Sequence, residues 1–291
     1  MATEVSDRVV VRPTGKALGA DVVGLDFGRL APEEMRVVRG ALLDHRVVRI
    51  RGAAIDDVAF TRFAEGLGEL HHTPDYSRSR SVYVADAPYV TIVSNVTENG
   101  QPIGDQGDGE LNWHTDLGFT DFPTQFTFLV AREIPPAGGD TSFADMYAAH
   151  DAMPEALRER VAKLGIKHQR SHDAQGKPRR GYRDIETDDP RELPGPVHPI
   201  LRTHPETGRK ALYLGRRFGA YIPGLKLATS EALLDELWSH AARPEHVWTQ
   251  SWQVGDLVVW DNRCTMHRRE SFAGQGRRRL HRLQTRGERP Q

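Results

Sequence analysis

A single cysteine in 291 residues, Cys264, excludes an intrachain disulfide and any zinc or iron–sulfur site built from several thiolates, and it suits a reducing compartment. No apolar run approaches the roughly 20 residues that a membrane-spanning helix needs. Met1 to Pro13 mixes acidic and basic residues around no apolar stretch, so it does not read as an export signal. A dominant charge is missing as well. Lys+Arg 39 against Asp+Glu 40 leaves a net charge of -1, and no overall basic field argues for nucleic acid or an anionic membrane. Together these absences predict a cytoplasmic protein whose partner is a small molecule, with no nucleic acid and no membrane; a homo-oligomer stays open.

What is present is a 38% hydrophobic, 27% charged chain able to bury a substantial core. Short β-branched runs at Val9 to Val11, Ala20 to Leu25 and Arg46 to Ile50 predict strands, and apolar residues recurring at three and four predict helices over Pro32 to Leu43 and Asp56 to Leu67. Ser81 to Val96 and Gln125 to Val130 favour strands again. Asp145 to Leu164 reads as a helix interrupted by Pro154. The polar stretch from Arg170 to Pro196, rich in Arg, Asp, Gly and Pro, predicts a long loop or lid, because structureless stretches of this length in a compact domain are usually functional or disordered. Beyond it, Ile200 to Arg202, Ala211 to Leu214, Val247 to Val254 and Asp256 to Trp260 predict strands, with a helix over Ser230 to Ala241. No repeat and no composition break appears. The expectation is one domain spanning residues 1–291, mainly β with α: a jelly-roll or sandwich core with helices packed outside.

Among 13 histidines, His114 stands two residues before Asp116 in Asn112-Trp113-His114-Thr115-Asp116. In an extended strand residues i and i+2 share a face, so one imidazole and one carboxylate can grip one ion. Adding the distant His267 completes a triad of two histidines and one carboxylate, which leaves coordination positions open and points to non-haem Fe(II) oxygenases. The competing possibility is a satisfied structural histidine. A second match, His204-Pro205-Glu206, lies in the hydrophilic turn Thr203 to Arg209, whose side chains are expected to face water. Cys264 is expected to be packed rather than ligating, since in a strand its odd offset from His267 points it to the opposite face. Trp113, Trp252 and Trp260 are expected in the core. The cluster Arg277, Arg278, Arg279, Arg282, Arg286 and Arg289 reads, for most of its members, as a solvated basic tail.

Four segments carry a resemblance: Trp113-His114-Thr115-Asp116, Gly138-Gly139-Asp140-Thr141, Trp260-Asp261-Asn262-Arg263 through His267, and Arg278 through His281-Arg282. In this order and at this spacing the chain resembles the taurine dioxygenase and 2,4-D dioxygenase family of 2-oxoglutarate enzymes, from about Val11 to Arg286. The resemblance implies a double-stranded β-helix core with a large insert between the metal-binding strands, and iron on His114, Asp116 and His267. It implies Fe(II) as cofactor, with 2-oxoglutarate and dioxygen consumed and succinate and carbon dioxide released. Arg278 is implied as the partner of the distal carboxylate of 2-oxoglutarate, a task that suits a planar guanidinium that keeps its charge. Thr141 is implied as the hydroxyl partner of the same cosubstrate. Retention of Asp116 implies hydroxylation rather than chlorination.

Arg282, four residues after Arg278, falls where the family places an arginine against an anionic substrate, which implies a small carboxylate or sulfonate. Hydroxylation beside a C–O or C–S bond would then cleave that bond. In Gly68-Glu69-Leu70-His71-His72-Thr73-Pro74, aligning on the proline puts Thr73 where the taurine branch carries a histidine, and a one-residue shift brings in His72. Gly208 to Tyr213 and Phe143 to Met146 look closer to the 2,4-D branch. The same three metal ligands would also serve a non-oxidative jelly-roll metalloenzyme, a cupin-like isomerase or a hydrolase. Such an enzyme has no need of Arg278.

Overall fold

The computed structural model describes residues 9–72, 83–104, 107–172, 178–179 and 181–291. Thr73 lies outside the described residues. The protein is mainly β with five α-helices among those residues, and its strands form two principal sheets and no closed barrel.

The larger sheet runs in the order Val10–Pro13, Ala20–Val23, Val47–Ile50, Leu257–Asp261, Thr124–Glu133, Arg279–Arg286, Ala87–Ser94, Tyr83–Val84. All its pairings are antiparallel except that between Ala20–Val23 and Val47–Ile50. The smaller sheet is antiparallel throughout, in the order Val247–Gln250, Thr141–Asp145, Thr265–Arg269, Leu111–His114. Neighbours in both sheets come from distant parts of the chain.

The strand Thr124–Glu133 shows how alternation builds two cores. Phe126, Phe128 and Val130 join one apolar cluster with the helices Pro32–His45 and Asp57–Glu65, through Val38, Leu42, Phe60 and Phe63. Leu129 and Ala131, on the opposite face, join Val47, Phe143, Trp248, Val258 and Trp260 between the sheets. The helices are anchored locally. Pro32 opens the first, and the Glu34 carboxylate accepts from the Ala31 backbone N–H at 2.9 Å. Asp56 caps the second by accepting from Ala59 N at 2.7 Å. A third cluster packs Met146, Tyr147, Leu233, Leu234 and Leu237 behind the smaller sheet. As expected, Pro154 separates two helices, Met146–Asp151 and Glu155–Val161. No helix among the described residues is long and apolar enough to cross a membrane.

Three expectations are corrected. The C-terminal arginine run is not a tail, although Arg277, Arg286 and Arg289 are exposed as expected: Arg279–Arg286 is an internal strand of the larger sheet, and Arg277 and Arg279 both pair with Glu133. Its alternation is carried by His281, Leu283 and Thr285 as well as by Leu280, so hydropathy alone does not reveal a strand. Within the polar turn 203–209, which largely faces water as expected, His204 is the exception and is only 1% exposed. His204 Nε2 lies 3.0 Å from Asp261 Oδ2, and Glu206 Oε1 accepts from Arg263 Nη1 at 2.6 Å, so pairing offsets the cost of burying these groups. Finally, Asp116 lies beyond the strand Leu111–His114, in the turn that follows it.

Candidate active site

His267 is placed by the register of the smaller sheet, opposite His114 on one neighbour and Phe143 on the other. The two imidazole rings lie 4.2 Å apart between centroids, and Trp260 flanks His267 at 4.8 Å. Asp116 arrives by its turn, shaped by the positive φ of Leu117 and by Thr115 N–H donating to Gly215 O at 3.0 Å. Its Oδ1 is 3.8 Å from His114 Nε2 and 3.8 Å from His267 Nε2. Two metal–ligand bonds of about 2.1 Å span at most about 4.2 Å, so all three atoms are within reach of one ion. His114, Asp116 and His267, far apart in the sequence, thus converge as expected.

The chemistry of the donor set fits a divalent cation. His114 Nδ1 sits 2.7 Å from Asn112 O and must donate there, which leaves the Nε2 lone pair turned toward the site. Burial lowers the proton affinity of both imidazoles and keeps them in the neutral, ligating form. For Asp116 burial opposes ionisation, but His267, His114 and Arg282, with a hydrogen bond from Thr127, outweigh it and hold the carboxyl below its usual range.

Support behind Asp116 comes from residues that had no assigned role. Thr127 Oγ1 donates to Asp116 Oδ2 at 2.7 Å, leaving Oδ1 for the ion. Asn262 Nδ2 donates to Thr127 Oγ1 at 2.8 Å, while Asn262 Oδ1 accepts from Asp116 N at 3.2 Å and from Trp260 Nε1 at 3.0 Å. The segment Trp260 to Arg263 is therefore a bracket for the carboxylate. Replacing Thr127 by the isosteric Val is expected to weaken divalent-metal affinity about tenfold and to lower the melting temperature by a few degrees, because the buried Asn262 amide loses its acceptor, checked by metal titration and thermal unfolding.

Arg278 and Thr141 lie in the same small cavity as the triad, together with Arg269, Arg282 and Trp260. Arg278 is 3% exposed, and its Nη2 donates to Gly139 O at 3.1 Å. Gly138 and Gly139 both have positive φ, and a Cβ on Gly139 would meet Arg278 Nε at 3.1 Å, so the Gly-Gly pair makes room for the guanidinium. No carboxylate among the described residues forms an ion pair with Arg278. Burial, then the neighbouring Arg269, pull its pKa down to about 9. Thr141 begins the strand Thr141–Asp145 and accepts from Trp252 Nε1 at 3.0 Å, which leaves its own O–H to donate. Trp252 is buried as expected, but it also orients this hydroxyl.

Arg282 extends from the Arg279–Arg286 strand into the cavity and donates through Nε to Thr91 Oγ1 at 3.3 Å. His72 is exposed and stacks on Tyr89 at 4.5 Å, outside the residues that line the cavity. Cys264 is packed, as expected, although it sits in the turn before the Thr265–Arg269 strand rather than within it; burial raises its pKa. The described part of 170–196 contains no helix and no principal-sheet strand. It packs on the turn after Asp116, with the Arg179 guanidinium 3.9 Å from the Phe119 ring centre and Arg170 Nη2 3.4 Å from Asp121 Oδ2.

The family model "Taurine catabolism dioxygenase TauD, TfdA family" matches residues 11–284. The chain belongs to this family. The TauD/TfdA chain is 34% identical over 272 residues to an alpha-ketoglutarate-dependent 2,4-dichlorophenoxyacetate dioxygenase of Burkholderia sp. (strain RASC), covering 90% of this chain and 89% of the relative. It is 32% identical over 275 residues to an alpha-ketoglutarate-dependent sulfate ester dioxygenase of Pseudomonas putida, covering 88% and 82% respectively. The crystal structure of a taurine dioxygenase from Burkholderia xenovorans superposes with a TM-score of 0.78 at 29% identity, over 97% of this chain and 91% of that one. This TauD/TfdA protein is a 2-oxoglutarate-dependent dioxygenase, an oxidoreductase, and the non-oxidative metalloenzyme alternative falls away.

Proposed function

We propose that this chain is a single-domain Fe(II) dioxygenase that hydroxylates a small anionic substrate, with iron on His114, Asp116 and His267, 2-oxoglutarate on Arg278 and Thr141, and the substrate anion on Arg282. The observation that carries this reading is the shared cavity: three convergent ligand atoms lie beside a buried guanidinium that no acid of the described residues pairs with. The two facing sheets are those of a double-stranded β-helix core. The described part of 170–196, packed on the turn after Asp116, acts as its lid.

When bound, the iron supplies the activation of dioxygen that this chain's own side chains cannot perform. The residues provide geometry and charge. His114 and His267 offer neutral nitrogens, and Thr127 turns Asp116 so that one oxygen faces the ion. Arg278 and the Thr141 hydroxyl fix the far end of the cosubstrate, so that its keto acid end is directed at the metal. Trp260, Val93 and Leu129 line the cavity with apolar surface and exclude water. Arg282 lies close enough to influence both Asp116 and His267, so an anion held there stands beside the metal. Substrates of relatives support the choice of an anion: one relative acts on 2,4-dichlorophenoxyacetate and another on sulfate esters. C–O cleavage after hydroxylation is the outcome such substrates favour. His72 is a second candidate contact, at the exposed edge.

The test is succinate release by purified protein with Fe(II), 2-oxoglutarate and dioxygen, with and without phenoxyacetates, alkyl sulfates and sulfonates. At least one anion class is expected to stimulate release, and wild-type protein that binds neither iron nor 2-oxoglutarate would overturn the assignment. Arg278→Gln is expected to raise the KM for 2-oxoglutarate at least about thirtyfold, because a buried anion loses its countercharge. Unchanged KM in that variant would remove Arg278 from the pocket.

A further inference from the structure

The cavity assigned to 2-oxoglutarate contains a second buried guanidinium. Arg269 ends the strand Thr265–Arg269, two residues after His267 and on the same face. In the sheet register it stands directly opposite Thr141. It is 5% exposed. Its Nη2 donates to the carbonyls of Gly107, at 2.8 Å, and Gly109, while Nε and Nη1 are buried with no hydrogen-bond partner. Arg278 Nε is in the same condition. Both guanidiniums lie beside the Phe272 ring, at 5.0 Å for Arg269 and 5.5 Å for Arg278. Among the described residues neither forms an ion pair.

Two buried cations with unsatisfied donors are costly unless an anion joins them. Anchoring the 107–109 segment does not explain the arrangement, because Nη2 alone serves those carbonyls and the other two donor nitrogens stay idle. A carboxylate has two oxygens and about four acceptor positions, enough for Thr141 and both arginines.

We propose that Arg269 is a second carboxylate-binding residue of the cosubstrate pocket, sharing the distal carboxylate of 2-oxoglutarate with Arg278 and coupling its arrival to the 107–109 segment. The proposal rests on the cosubstrate site inferred above. A strand residue two after the second histidine thereby sets cosubstrate selectivity as well as lining the wall.

The experiment is calorimetric titration of Mn(II)-loaded protein with 2-oxoglutarate and with 2-oxopentanoate, which carries a methyl group in place of the distal carboxylate. Arg269→Gln keeps an N–H for the glycine carbonyls but loses the charge. It is expected to weaken 2-oxoglutarate about tenfold or more and to leave 2-oxopentanoate within about twofold of wild type. Equal losses for both ligands, or none for 2-oxoglutarate, would show a structural arginine and overturn the proposal. If Arg269→Gln does not fold, Arg269→Lys decides. Lysine keeps the charge but not the fork, so a preference for 2-oxoglutarate over 2-oxopentanoate that falls severalfold supports the proposal, and a preference equal to wild type overturns it. Arg278→Gln in parallel separates the two ideas. Unchanged 2-oxoglutarate binding in that variant removes the pocket itself, whereas unchanged binding in Arg269→Gln alone removes only the second arginine.

Discussion

Asp116→Ala is expected to lose stoichiometric Fe(II) and to lower 2-oxoglutarate turnover by at least about a thousandfold, roughly 4 kcal/mol at the barrier. Asp116 is the carboxylate of the proposed ligand set, and its Oδ1 is equidistant, at 3.8 Å, from the two imidazole nitrogens. Without it two neutral histidines remain, with no negative charge to balance a dication. The fold should survive, because Thr127 keeps its bond from Asn262 and the Asp116 backbone keeps its own to Asn262 Oδ1. Metal content by elemental analysis, succinate release and thermal unfolding measure the three quantities separately. A variant that retains iron and wild-type turnover would remove Asp116 from the metal centre.

Asp261→Ala should instead strike stability, by about 3–5 kcal/mol, because it strips a buried guanidinium of its forked partner and leaves it only Glu206. Arg263 is 1% exposed and Asp261 is fully buried; Nε donates to Oδ1 at 2.8 Å and Nη2 to Oδ2 at 2.6 Å. For a chain of this size that loss corresponds to a fall in melting temperature of about 10 °C. Metal affinity should fall too, since Asn262 is held in place by the same turn. Burial opposes ionisation of Asp261, but Arg263 and then His204 outweigh it and hold the carboxyl well below the usual carboxylate range. A depressed carboxyl stabilises the fold fully above its unfolded value of about 3.9, and that contribution is lost as the pH falls toward the folded value. The loss of stability below about pH 4 should therefore be steeper in wild type than in Asp261→Ala, which lacks this carboxyl's share of it. An Asp261→Ala melting curve superimposable on wild type would sink the claim. By contrast, Arg277→Ala, on an exposed pair with Glu133, should leave stability unchanged.

Local pattern was enough for the elements whose residues match their environment. Val47–Ile50, Asp57–Glu65 and the helix break at Pro154 follow from β-branching, a capping aspartate and a missing N–H. The strand Arg279–Arg286 does not, because its side chains are charged or polar at six of its eight positions and are satisfied by partners as remote as Glu133 and Asp57. The burial of His204 within its otherwise exposed turn was not legible for the same reason: its partner Asp261 is more than fifty positions away.

The candidate ligands His114, Asp116 and His267 were legible in the sequence, with the ordered segments around them, because coordination chemistry depends on residue type and a motif preserves type. Which atoms converge, what holds Asp116 in place and why Arg269 belongs to the pocket were decided by tertiary structure alone. Sheet register sets those contacts, pairing Thr141 with Arg269 and His114 with His267, and register arises from packing between strands that the chain brings together over more than a hundred residues.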